Sequence, residues 1–440
     1  MRLIYLSSLL FILLCSSGKL SAAGLVTSIE KDGAGNWRVQ YNADTAMTRL
    51  VFQRSPDQSR KTRWKPESAA FEIVSLDGHE AVRRTDGKAF TAVGFRLTPT
   101  YVVLPKEYAP FSPFTDGGML IHSGRFFACP GQCDDSQNQW QIRLQAGKDE
   151  HIIVDGQVHR AEASWTDQDS GKSIYVGSSK PVTDDNFVSV IDTGLPNALQ
   201  TLMAQRLPDI LAFFSTKMGK LSFRPSLYAS YSPIADGGYG HQGGSLPGQV
   251  FMHWYGKQAV EQLNERATLL FFAHEVAHLY QRKAANVEQL QDAWLHEGSA
   301  ELFSALAYTA ISADQALLPK KLNIVQQACL DALAKDPRYS SQAQTNPNVH
   351  YSCGMVLFHA IHQDLTAQGH DVFTQWLAFN AAVEQGKPAT PATFLAVVGP
   401  ALSADFSKQL SEFIQNPQFD AKAFFQQLGT LLPPTGAGGS

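Results

Sequence analysis

Within a stretch of helical spacing stands His274-Glu275-Val276-Ala277-His278. On an α-helix, positions i and i+4 lie one above the other, so two imidazoles reach a single metal ion. Glu275 sits between them, offset around the helix but close enough to hold a water on that ion. Val260, Leu263, Ala267 and Leu270 step by three and four onto His274 and Ala277/His278, which predicts one helix with both histidines near its inward face. Any fold for this chain must bring that helix face to an enclosed point.

Tetrahedral zinc at a reactive site takes three protein ligands and leaves a fourth position for water. Glu297 is the predicted third ligand, separated from His278 by 18 residues, in Trp294-Leu295-His296-Glu297-Gly298-Ser299-Ala300-Glu301. The gap lets the first helix end, turn near Ala284 to Asn286, and return as an antiparallel helix. Glu301 falls one turn beyond Glu297 on the same face. It is placed to accept a hydrogen bond from the free ring nitrogen of His274 and so fix its tautomer. Gly298 lets the two helices approach closely.

The rest of the chain supplies an interior for such a site. Of 440 residues, 44% are apolar and 17% charged, which is globular composition with material for more than one core and excludes disorder as the main state. Thirty-six basic against 40 acidic residues leave a net charge of −4, which argues against nucleic acid or an anionic membrane as a partner. From Gly24 to about Ser189, short apolar runs of strand length are punctuated by Gly, Asp, Asn and Pro, as at Asp32-Gly33 and Asp155-Gly156. Near Leu195 the texture becomes helical. The expected fold class is α+β in two domains: an all-β domain over 24–193 and a mainly helical domain over 194–432, with a flexible tail at 433–440. Asp236 to Gly244 reads as a glycine-rich loop between two strands of the second domain.

Residues 1–23 read as a signal peptide. Arg2 precedes an apolar run from Leu3 to Cys15, and Ser21-Ala22-Ala23 offers small residues for cleavage. The run is about 13 residues, short of the roughly 20 that span a bilayer, so no stable membrane span is expected after cleavage. Export to the periplasm or the medium follows. Cys129, Cys133, Cys329 and Cys353 then remain, an even number in an exported chain, and proximity favours the pairs Cys129–Cys133 and Cys329–Cys353.

His-Glu-x-x-His, 18 residues, then Glu within Trp-Leu-x-Glu-Gly-x-Ala-Glu, resembles the gluzincin metallopeptidases, closest to the aminopeptidase N-like and glycyl aminopeptidase families. The resemblance implies a thermolysin-like catalytic domain and one zinc ion bound by His274, His278 and Glu297, with Glu275 as general base. Tyr351-Ser352-Cys353-Gly354 resembles the family's Tyr-x-x-Gly segment, which implies that the Tyr351 hydroxyl stabilises the oxyanion at the scissile carbonyl.

One segment departs from the family pattern. Aminopeptidase N-like enzymes carry Gly-x-Met-Glu-Asn before the zinc helix, and its Glu holds the substrate amine. The corresponding region here, Gly237 to Trp254, has no Glu, and Asp236 is the nearest acid. Gly237, Gly238, His241 and Gln249 are the candidate residues of the substrate cleft. The expected activity is hydrolysis of a peptide or protein substrate, aminopeptidase-like. The alternatives are a zinc endopeptidase or a catalytically silent binding protein of the same fold.

Overall fold

The computed structural model describes residues 24–104, 107–133, 139–233, 238–285, 287 and 289–429. The signal peptide expected at 1–23 and the tail at 433–440 lie outside the described residues, as do Asp236, Gly237 and Asn286.

Among the described residues the N-terminal part has three sheets. The largest has six strands in the order Glu162–Gln168, Gln139–Gln145, Leu25–Lys31, Trp37–Met47, Phe90–Leu97, Trp64–Pro66. Leu25–Lys31 alternates buried and half-buried residues along its whole length, as period-two side chains on a one-sided sheet must. Its turn into Trp37–Met47 is held by the Asp32 carboxylate, which accepts from the N–H groups of Ala34 and Asn36 at 2.9 and 2.8 Å. Trp37, Tyr41, Phe52, Trp64, Phe95 and Phe126 form the aromatic centre of this core.

The third of these sheets joins the two halves of the molecule. It runs Gln157–Arg160, His151–Val154, Ser173–Gly177, Met119–His122, Phe111–Pro113. All of Ser173–Gly177 is buried because both faces are covered. Ile174 and Val176 enter the N-terminal core, while Tyr175 points the other way, into a cluster with Val188, Val190, Tyr228 and Phe251 of the second half.

That second half has its own five-stranded sheet. We label its strands β1 (Val182–Thr183), β2 (Val188–Ile191), β3 (Ser226–Ser232), β4 (Gly240–Leu246) and β5 (Gln249–Tyr255). Their spatial order is β1-β2-β3-β5-β4. Helix α1 (Asn197–Met218) connects β2 to β3, which pair in parallel. Hydrogen bonding thus carries this sheet back to Val182, upstream of the change in texture at Leu195. Tyr228 and Phe251 face the N-terminal half, whereas Leu227, Ala229, Val250, Met252 and Trp254 face a large helical core.

The segment expected as a glycine-rich loop is in large part a strand. Glycine is a poor strand former, yet β4 pairs antiparallel with β5 from Gly240↔Tyr255 to Leu246↔Gln249. Pro247-Gly248 closes the hairpin, with Gly248 at φ +76, where a side chain would be strained. β4 is the edge of the sheet.

The helices that carry the candidate site are α2 (Glu265–Gln281), α3 (Trp294–Ser312), α4 (Leu317–Ala332) and α5 (Asn348–Ala367), with α6 (Val372–Glu384) behind them. α2 begins later than its apolar spacing predicts, because the Asn264 side chain caps it by accepting from the N–H of Ala267 at 3.0 Å. The stripe through Ala267 and Leu270 is not the core face: Ala267 is exposed and both residues line the cleft, while Leu269, Phe272, Val276 and Tyr280 enter the core. The helix is apolar almost all round, so spacing alone does not separate the two faces. Disulfides join Cys129 to Cys133 and Cys329 to Cys353. Among the described residues no helix is long and apolar enough to cross a membrane.

Candidate metal centre

α2 and α3 pack against each other and aim three side chains at one point. Nε2 of His274 and Nε2 of His278 lie 3.0 Å apart. Oε2 of Glu297 lies 3.1 Å from the first and 3.3 Å from the second. Among the described residues this is the group of His, Cys, Asp and Glu side chains able to hold a metal ion, with donor atoms all within 4.8 Å of one another.

The far side of each imidazole shows what the near side presents. Nδ1 of His274 faces Oε1 of Glu301 at 3.1 Å. Nδ1 of His278 faces Oε1 of Gln281 at 2.7 Å. Both partners are acceptors, so each ring keeps a proton on Nδ1 and turns its Nε2 toward the other ring and toward a carboxylate. Three such acceptor atoms at hydrogen-bond distance repel one another unless a cation, a proton or a metal ion, lies between them. The donor set therefore fits a divalent metal of the zinc type.

The protonation equilibria say the same. Burial pulls the His274 pKa down, but hydrogen bonds to Glu297 and Glu301 outweigh it and push the ring up to about 10. Burial raises Glu301, and the His274 bond and Lys321 overturn that, holding it at about 2. Glu297 is likewise buried, yet its three histidine neighbours keep it well below the usual carboxylate range. Metal-free, this cluster must hold a proton where the metal would sit.

Three members of the site were not read from the sequence. Gln281 is fully buried, and besides receiving His278 it donates to the His296 carbonyl at 2.8 Å and to Ser299 Oγ at 2.7 Å. Its place three residues after His278, on the same helix face, was the available signal. His296 puts Nε2 3.4 Å from Oε1 of Glu297. Lys321, on α4, reaches Oε2 of Glu301 at 2.6 Å and has no local sequence signal.

Glu275 and Tyr351 open onto the same cleft as the metal-binding group. The Tyr351 ring leans over His274, with centroids 5.9 Å apart. Burial and then Glu297 push its phenol above the ordinary range. His350 turns away instead and is buried against the Tyr339 hydroxyl at 2.8 Å. Gly298 makes its close approach to α5, not to α2: it meets Gly354 where α3 and α5 cross.

The cleft runs along β4. A chamber of about 690 Å³ is lined by Gly243, Gly244 and Ser245 with Phe271, Glu275 and Tyr351. Two of the residues expected to line it are not on its wall. Gly238 is exposed beyond the start of β4, His241 is exposed on the strand, and Gly237 is outside the described residues. Gln249 does line the groove, in its wider part beyond His278. Its side chain is 2% exposed and spans to the neighbouring sheet, accepting from Ser173 N at 2.8 Å and donating to Ser173 O at 2.6 Å. It fastens the two halves together because a buried amide needs both its partners.

No protein-family model matches the chain, and no curated protein matches it in sequence. Solved structures do. An aminopeptidase N family protein from Idiomarina loihiensis is similar at 12% identity and a TM-score of 0.63, over 92% of this chain and 78% of that one. Yeast LTA4 hydrolase in complex with bestatin is similar at 12% identity and a TM-score of 0.52, over 90% of this chain and 67% of that one. The chain has the gluzincin aminopeptidase-like fold, a strand-rich half followed by a helical one.

Proposed function

We propose that this chain is a zinc-dependent peptidase, aminopeptidase-like in build. The observation that carries the reading is the convergence of two imidazole Nε2 atoms and the Glu297 carboxylate beside Glu275 and Tyr351, at the wall of an open cleft. His274, His278 and Glu297 would hold one zinc ion. Zinc in such a setting polarises a carbonyl and lowers the pKa of water toward about 7.

The protein's own residues do the rest. Glu275 takes the proton of the attacking water and later passes it to the leaving amine. The Tyr351 hydroxyl, kept protonated by burial and by Glu297, donates to the oxygen on which charge develops, a role typically worth a few kcal/mol. Glu301 and Gln281 hold the two imidazoles in one tautomer. The free edge of β4 offers backbone groups for pairing with an extended peptide.

An endopeptidase is the second reading, and one observation favours it: β4 carries no carboxylate to hold a free amino terminus. A silent binding protein is disfavoured, since neither a ligand nor the base is missing. Two disulfides suit an oxidising compartment, which supports export.

The test is to incubate zinc-analysed protein with free and N-acetylated peptides and map products by mass spectrometry, with Glu275→Gln as the blank. Stepwise loss from free termini only establishes an aminopeptidase. Equal cutting of acetylated peptides establishes an endopeptidase. No cutting by a zinc-replete sample overturns the peptidase reading.

A further inference from the structure

Beyond His278 the cleft opens into a second chamber, larger than the first at about 910 Å³. It shares His278, Glu297 and Ser245 with the first chamber, so the two are halves of one groove either side of the metal-binding group. Glu275 and Tyr351 line only the first. If Glu275 hands its proton to the leaving nitrogen, the leaving-group side of a bound peptide lies in the first chamber. The acyl side then runs past His278 and His296 into the second.

Away from Glu297, which belongs to the metal-binding group, the charges lining the second chamber are unbalanced. Lys220, Arg224 and Arg282 stand against Asp155 and Glu384. Both acids are engaged: Asp155 with Lys172 at 2.6 Å, and Glu384 with Arg282 at 3.9 Å. Arg224 is pinned by the carbonyls of Phe187 at 3.2 Å and Gly156 at 3.3 Å, which orient its guanidinium without neutralising it. Lys220 and Arg224 have no ion-pair partner among the described residues. Phe223, 42% exposed between them in sequence, adds an apolar surface at the rim. A free α-ammonium would meet cations here, whereas a carboxylate would meet an oriented guanidinium and an unpaired lysine.

We propose that this chamber selects peptides carrying a carboxylate side chain on the acyl side of the scissile bond, held by Arg224 and Lys220. This rests on the peptidase reading of the metal centre.

The experiment pairs cleavage with binding. N-acetylated peptides with Glu, Gln or Lys scanned through each position are incubated with the zinc-loaded full chain, and cuts are mapped by mass spectrometry. Binding of the same peptides, fluorescently labelled, is measured by anisotropy on zinc-loaded Glu275→Gln. The expected result is about a tenfold preference for Glu over Gln at one or more acyl-side positions, as for a hydrogen bond to a charged partner. It should shrink in Arg224→Gln/Lys220→Gln and fall as salt rises. Cleavage without an acyl-side preference for Glu overturns the proposal and leaves the peptidase reading intact. Absence of cleavage, with Glu-preferring binding that the double substitution abolishes, removes the peptidase reading but keeps an acid-selective chamber. Neither cleavage nor preferential binding overturns both.

Discussion

Gly298 and Gly354 touch where α3 crosses α5, and neither has room for a side chain: a Cβ on Gly354 would lie 2.8 Å from the Cα of Gly298. Glu297 directly precedes the first glycine, and Tyr351 stands three residues before the second. The crossing thus sets the distance between a metal ligand and the residue proposed to serve the oxyanion. Gly354→Ala should push the helices apart at a cost of about 1–3 kcal/mol. A lowered melting temperature together with a fall in kcat at retained zinc content is expected. Unchanged kcat would show that Tyr351 needs no such alignment.

Glu275→Gln keeps the shape of the side chain and removes the base. Zinc content by atomic absorption should match the parent, while turnover drops by about 10²–10⁴. Substantial residual activity would remove Glu275 from the role of base.

Gln281→Ala leaves the three donor atoms in place but frees Nδ1 of His278, now 2.7 Å from the amide oxygen. Zinc affinity, measured by competition with a chelating dye, should weaken by about 10–100-fold. Affinity equal to the parent's would mean that the amide serves packing alone.

His122 and His253 are buried at the junction of the two halves. Burial first, and for His122 also Arg125 and Arg54, hold both pKa values at about 3 against an ordinary 6.5. The unfolded chain therefore binds more protons than the folded one between about pH 6.5 and 3. Stability from these rings is complete above that window and is lost as pH falls through it. His122→Phe keeps the ring contact with Tyr108 and cannot be protonated. Its melting temperature should fall less steeply than the parent's from pH 7 to pH 4, and parallel curves would refute the assignment.

The Cys329–Cys353 disulfide ties α4, which carries Lys321, to α5 two residues after Tyr351. Replacing both cysteines by Ala should cost about 3 kcal/mol in urea unfolding. It should also lower kcat more than zinc affinity, since the ligands lie on α2 and α3.

What the sequence makes legible at this site is what lies along one or two helices. His274, His278, Glu297 and Glu301 are related by helical period and a single turn, so spacing alone brings them together. Lys321 reaches Glu301 from a third helix, and no periodicity encodes that meeting. The misreading of Gly240–Gly244 has a similar source, because β4 is a strand through its pairing with β5 and not through its own residues. Gln249 lines the groove, but nothing in its local sequence says that its amide is engaged by Ser173 of the neighbouring sheet. Gly298 announces a close contact, but the sequence does not say with which helix.

The sheet that carries β4 is sandwiched, with Tyr228 and Phe251 against the N-terminal half and Leu227 and Val250 against the helices. A shortened chain begun at the change of texture near Leu195 would leave β2 behind. It would bare the flank of β3 together with an aromatic surface evolved to be dry. Such a fragment, although it holds all three metal ligands, is expected to aggregate, so the strand-rich half is a folding partner of the metal centre and not a detachable accessory.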